Sequence, residues 1–138
     1  MNERFVSNWW SVRVPVGWRS EENEDCVTFF SDDGCGALQI SAYRNRSGVV
    51  TDDDLSEFAL GEVSDVRNLI NVSYGSFVGL EGSCIESESF RRVFWLRNEN
   101  LLVYVTYSCS AADAFEERAM VDEVLESLEP FGLSSVGH

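Results

Sequence analysis

At 138 residues, with four Trp, four Tyr and nine Phe, the chain is sized for one domain with its own core, and its two prolines and ten glycines are too few for a disordered tail or a linker. The formal charge of -14 exceeds the roughly 2 to 8 that keeps a small domain soluble, so the surface repels nucleic acid and anionic lipid and favours basic partners. Every basic side chain is arginine, which excludes a phosphate-loop lysine and Schiff-base chemistry. In chain order, residues 1–7 read as a frayed end. Trp9 to Val14 alternates as a first strand, with Trp10, Val12 and Val14 on one face, closed by Pro15 and Gly17. Trp18 tucks back over the sheet, and residues 19–25 read as an acidic loop. A strand at Cys26–Ser31, the Asp32-Asp33-Gly34 turn and a strand at residues 36–44 follow. In the last of these Leu38, Ile40 and Ala42 oppose Gln39, Ser41 and Tyr43, the alternation of a sheet with one wet face.

Thr51-Asp52-Asp53-Asp54 is the best helix start in the chain, with Asp54 at the capping-box position and three carboxylates at the positive end of the dipole. Leu55, Phe58, Ala59, Val63 and Val66 form its stripe, with Glu62 breaking it and an end expected between Asp65 and Leu69. Residues 70–74 read as an edge strand, and the glycines at 75, 79 and 82 suggest a loop leading into a strand at 84–97. There Phe90, Arg92, Phe94 and Leu96 oppose Arg91, Val93, Trp95 and Arg97. A turn at Asn98-Glu99-Asn100 returns the chain into Leu101–Tyr107, the most apolar and β-prone stretch, expected at the centre of the sheet. Ser110 or Asp113 caps a last helix, Ala114 to Leu128, whose stripe is Val121, Val124, Leu125 and Leu128, with Phe115 extending it and Glu117 out of register. Pro130 stops the helix. The expectation is an α/β (α+β) domain spanning 1–138, its ordered core at about 8–130, with about six antiparallel strands and two amphipathic helices.

The strand, Pro, Gly, Trp run at Val14–Trp18, the strand Leu38–Tyr43 and the capped helix at Thr51 resemble the Mog1/PsbP-like α/β superfamily, which includes DcrB-like and other small bacterial domains of unknown function. The hairpin Phe94–Arg97 with Leu101–Tyr107 and the closing acidic helix ending Leu125-Glu-Ser-Leu128 complete the likeness, over roughly residues 8–130. It implies mostly the architecture, since roles differ widely among the relatives. Branches of that superfamily engage a small GTPase, a photosystem or secreted effectors, and none of their binding residues falls on a motif present here.

The chemistry is sparse. The one histidine, His138, is the last residue, which leaves no Ser-His-Asp, Cys-His or HExxH arrangement. Cys26, Cys35, Cys84 and Cys109 form no CxxC pair, and reduced thiols are expected; Cys35, between two glycines in a turn, is the most exposed candidate thiol. The acidic runs lack the calcium-loop pattern and read as solvated surface, so no cofactor and no metal are expected. No apolar run reaches membrane-spanning or signal-peptide length, and the protein is read as cytoplasmic. The leading function is a non-catalytic protein-binding module, such as an immunity protein or a chaperone-like secretion adaptor, facing a basic partner. Its candidate surface is Glu21, Glu22, Glu24, Asp25, Asp32 and Asp33, with Arg91, Trp95 and Arg97 on a wetter aromatic face shared with Trp9. The alternatives are an apolar-ligand carrier or orphan enzyme using an aromatic groove, and a structural homodimer.

Overall fold

A computed structural model describes residues 2–24, 26–62 and 67–130. The hairpin that dominates the sequence also sits in the middle of the main sheet. Its arms are β8 (Ser89–Asn98) and β9 (Leu101–Ser110), in register from Ser89↔Ser110 to Asn98↔Leu101. Outside β9 lie β5 (Gly36–Arg44), β4 (Val27–Ser31) and β3 (Trp18–Glu22); outside β8 lie β7 (Phe77–Glu86) and β6 (Arg67–Tyr74). The result is a seven-stranded antiparallel sheet, ordered β3-β4-β5-β9-β8-β7-β6. A second, three-stranded sheet places β2 (Trp10–Pro15) between β1 (Asn2–Val6) and the short β10 (Glu129–Pro130).

Alternation along the strands gives the large sheet two apolar faces, each with its own cover. On one face Phe29, Leu38, Ile40, Phe94, Leu96, Val103 and Val105 pack against Trp10, Val12 and Val14 of β2. Helix α2 (Arg118–Glu126) adds Val121, Val124 and Leu125 to the same core. On the other face α1 (Asp52–Glu62) sets Leu55 and Ala59 over Val93, Trp95 and Leu102. Covering both faces of β8 explains its nearly continuous burial and the mixed pattern of its residues. Helix α1 opens with the expected capping box: Asp54 N–H donates to Thr51 Oγ1 at 3.2 Å and Thr51 N–H to Asp54 Oδ2 at 2.9 Å. Phe58, expected on its buried stripe, is half exposed; Val63 and Val66 lie outside the described residues, and β6 begins at Arg67, where the helix was expected to be ending.

Four stretches differ from the sequence reading. Residues 2–6 form β1 because Phe5 reaches Trp10 and Phe29, at ring-centroid distances of 5.7 and 5.1 Å, and because Arg4 pairs with Glu129 and bonds Ser11 Oγ. Residues 18–22 are a strand: an edge strand with both faces wet shows no alternation, so an acidic run there reads as loop. The glycines near 79 hide β7. Gly79 sits in the strand because a Cβ there would overlap the backbone carbonyl of Trp95. A tight turn at Ser87, with φ 57°, divides β7 from β8 where one strand from 84 was expected. Finally, the last helix starts four residues late. Ser110 Oγ accepts Ala112 N–H and caps only a 3-10 turn at Ala111–Asp113, while Asp113 receives Glu116 through its backbone. Phe115, free of any helix, lies 74% exposed against Phe90.

Candidate functional site

The hairpin of β3 and β4 divides the acidic surface expected from the sequence. Glu21, Glu22 and Glu24 stand at its tip; Asp32 and Asp33 stand at its base, five strand residues and roughly 15 Å away. Glu21 lies level with Thr28 and Glu22 with Val27, so the two carboxylates leave opposite faces of the sheet. Asp32 is held by Arg19, whose Nη1 is 3.1 Å from both carboxylate oxygens. Asp25 lies outside the described residues. The aromatic face is not a surface at all: Trp95 is 1% exposed beneath α1, and Trp9 packs on the opposite side of the sheet. Arg97 is spent on Asp52, with Nε 2.8 Å from Oδ1. Arg91 is half buried between the level positions Cys84 and Ser108.

What the structure does bring together is a groove of about 340 Å³ beside the hairpin tip, where Trp9, Trp10, Glu22, Glu24, Ala42 and Tyr43 meet. It exists because two strands end at different heights. β4 pairs with β5 only as far as Val27↔Ile40, while β5 continues to Arg44 with β9 still alongside. The tip is fixed by Asn23, whose N–H donates to Cys26 O and whose Oδ1 accepts Cys26 N–H, both at 3.0 Å. Glu22 and Glu24 are exposed at the rim and make no ion pair among the described residues. Tyr43 is 55% exposed, Trp9 half buried and Trp10 the floor at 2%. Carboxylates beside aromatic rings suit a planar cation, which takes charge-assisted hydrogen bonds in its plane and ring contact on its faces. The sequence marked Glu22, Glu24 and Trp9 separately; Tyr43 and Ala42 carried no signal, because only the unequal strand ends place them here.

Two further polar clusters are built into the main core. Glu117, out of register in the sequence, is 4% exposed; Tyr107 Oη donates to its Oε1 at 2.7 Å, and Cys35 Sγ lies 3.6 Å from the same oxygen. Gly34 and Gly36 flank Cys35 because a Cβ on either would strike Glu117 or the Tyr107 hydroxyl. Burial pushes the Cys35 thiol up, opposed by the Tyr107 hydrogen bond and reinforced by the Glu117 charge. Burial and the bond to Glu117 raise Tyr107 far above an ordinary phenol. The thiol expected to be exposed is thus a half-buried, protonated hydrogen-bonding group. The commitment of Glu117 to Tyr107 also explains why it makes no side-chain cap for α2.

The second cluster centres on Arg92, 1% exposed. Its Nε and Nη2 donate to Glu81 Oε2 at 3.1 and 2.9 Å, Nη2 also reaches Asp122 Oδ1 at 2.9 Å, and Tyr74 donates to Glu81 Oε1 at 2.7 Å. Its guanidinium carbon stands 4.8 Å from the Phe94 ring centroid. Burial pulls Arg92 down, but Glu81 and Asp122 outweigh it and hold the charge. Burial, with Glu81 next, drives Tyr74 up.

No protein-family model matches the chain, and no curated protein does. Solved structures do match it. A protein from Bacteroides thetaiotaomicron superposes with a TM-score of 0.70 at 18% identity over 95% of this chain, and this chain spans only 49% of that one. The cyanobacterial PsbP (CyanoP) of Synechocystis gives 0.65 at 12% identity, covering 94% of this chain and 92% of its own. A mutant form of the protein Mog1 gives 0.59 at 9% identity, covering 98% of each. The fold is the Mog1/PsbP-like one. Likeness at these identities extends to the arrangement of strands and helices. Among the described residues no helix is long and apolar enough to cross a membrane, and no three acidic or thiol side chains converge as a metal site requires.

Proposed function

We propose that this domain is a non-catalytic protein-binding module of a bacterial cytoplasm, of the immunity-protein or secretion-adaptor kind, which receives a basic partner at the acidic aromatic groove. One contrast carries the reading. Glu81, Asp122, Asp32, Asp52 and Glu129 each have an arginine against them, whereas among the described residues Glu22 and Glu24 have none and stand beside Trp9 and Tyr43. A charge of -14 extends the attraction beyond contact range, so association with a basic partner is fast and sensitive to salt. The test is to express the protein with the products of its neighbouring genes, weigh the complex and measure association rates across salt concentrations. A basic partner whose association slows with salt, and slows again in the Glu22→Gln/Glu24→Gln variant, supports the reading. A partner indifferent to both refutes it.

The edge strand β6 favours a second reading, self-association. Leu69 and Ile70 are 45% and 55% exposed there, and no carboxylate falls between Arg67 and Tyr74. Sedimentation at micromolar concentration separates a dimer from a monomer.

A further inference from the structure

We infer that a second groove, at the base of the β3–β4 hairpin, binds a linear aliphatic polyamine, independently of the site at the hairpin tip. This groove, of about 470 Å³, lies on the main-core side of the large sheet, between the turn at residues 33–35 and the start of α2. Glu117 is its buried polar group. Tyr107 O–H and Cys35 S–H both donate to Oε1, which fixes the carboxylate in place. Oε2 accepts no hydrogen bond from any described residue. It lies against Gly34, where a Cβ would overlap it. Among the described residues the side-chain atoms sealed without a partner are Arg91 Nε and Arg92 Nη1, so Oε2 keeps an opening; Gly34 and Glu117 both line the groove. A carboxylate oxygen held this deep without a donor favours an arriving one.

The surrounding side chains say which donor. Asp33, Asp113 and Glu116 also line the groove, and among the described residues none of them makes an ion pair. With Glu117 they outweigh the positive end of the α2 dipole, about half a charge. These acids do not converge: among the described residues no three acidic or thiol groups meet as a metal site requires. A compact ion therefore meets only part of the set, whereas a ligand with charges spaced along a chain meets more of it. Val16, Trp18 and Met120 supply carbon surface for that chain, its methylenes on Val16 and Met120 and an ammonium near the Trp18 ring. A lysine side chain of a protein shares this chemistry but brings one ammonium per stem; a free polyamine brings several, as the spread of acids requires.

The probe is spermidine, titrated into the labelled protein at physiological salt by NMR and calorimetry. Saturable shifts are expected at the Gly34 amide and the Trp18 indole. Hexaamminecobalt(III), which carries the same charge without a carbon chain, should bind there about tenfold more weakly. Glu117→Gln, which keeps the shape and removes the charge, should weaken spermidine about tenfold or more. Because that change touches the core, Asp33→Asn/Glu116→Gln repeats the test on exposed groups, with a loss of about fivefold. Glu22→Gln/Glu24→Gln should leave spermidine affinity within about twofold, since those charges lie more than a Debye length away. Equal affinity for hexaamminecobalt(III) would reduce the groove to a patch of charge and overturn the inference. Tighter binding of acetyl-Lys-Lys-Lys-amide at the same resonances would assign the ammonium to a protein partner and also overturn it. If the folded Asp33→Asn/Glu116→Gln protein binds spermidine like the wild type, or if Gly34 and Trp18 do not shift with millimolar spermidine, the inference falls and the reading at the hairpin tip is untouched.

Discussion

The two ends of the β3–β4 hairpin use similar side chains to opposite effect. At the base, Asp32 is gripped by Arg19, and nearby Cys35 and Glu117 are locked with Tyr107. At the tip, Glu22 and Glu24 line an aromatic groove, and among the described residues no arginine lines it with them. A carboxylate whose partner is already in the fold contributes to stability; one without a partner contributes to the field and to whatever arrives. What separates the acids held in the fold from those left exposed is pairing, which the density of acidic residues in the sequence does not report.

The contrast can be broken first at the paired, buried groups. Arg92→Ala leaves Glu81 and Asp122 without their cation and should cost about 3–5 kcal/mol in urea unfolding. Arg92→Met, which fills the space but supplies no cation to Glu81 and Asp122, should still cost most of that. At the hairpin base, Tyr107→Phe removes the donor to buried Glu117 and should cost about 1–3 kcal/mol. It should also change the pH profile. Tyr107 has its folded-state value raised above the ordinary 10.0, so its contribution is complete below that value and is lost as pH rises, because only the unfolded phenol ionises readily. Unfolding free energy should therefore decline above about pH 9–10 in the wild type and less steeply in Tyr107→Phe; equal slopes would remove Tyr107 from the account. The helix start comes next: Thr51→Ala loses the cap on Asp54 N–H and should cost about 1 kcal/mol. The smallest stability effect belongs to the hairpin tip, where Glu22→Gln/Glu24→Gln should stay within about 0.5 kcal/mol. A larger loss in chemical denaturation would mean these acids have partners in the fold after all.

Much of the fold was legible where one physical rule acts alone. Leu101–Tyr107 proved central, Gly36–Arg44 fell within its expected bounds, and Thr51 capped its helix, because continuous apolarity, alternation and capping chemistry are local properties. Strands whose pairing depends on distant residues were not legible. β1 has no pattern until Trp10 and Phe29 surround Phe5, β3 has no buried face to imprint an alternation, and β7 carries a glycine demanded by a carbonyl on the next strand. The site followed the same division. Acidity was visible, but Trp95 as a surface residue was not correct, because α1 covers the face on which it sits. Arg92 and Glu117 looked like interruptions and are the centres of buried networks. An interruption in an apolar stripe can mean a buried polar network as readily as a helix turned toward water.

The small sheet has a consequence for biosynthesis. β2 is flanked on one side by residues 2–6 and on the other by residues 129–130, so a ribosome has emitted more than a hundred further residues before the outer flank of β2 can close. Until then Trp10, Val12 and Val14 lack α2, and the nascent polypeptide carries an adhesive apolar strip. Emergence of residues 118–130, rather than of the first hairpin, should mark the moment at which protease resistance appears.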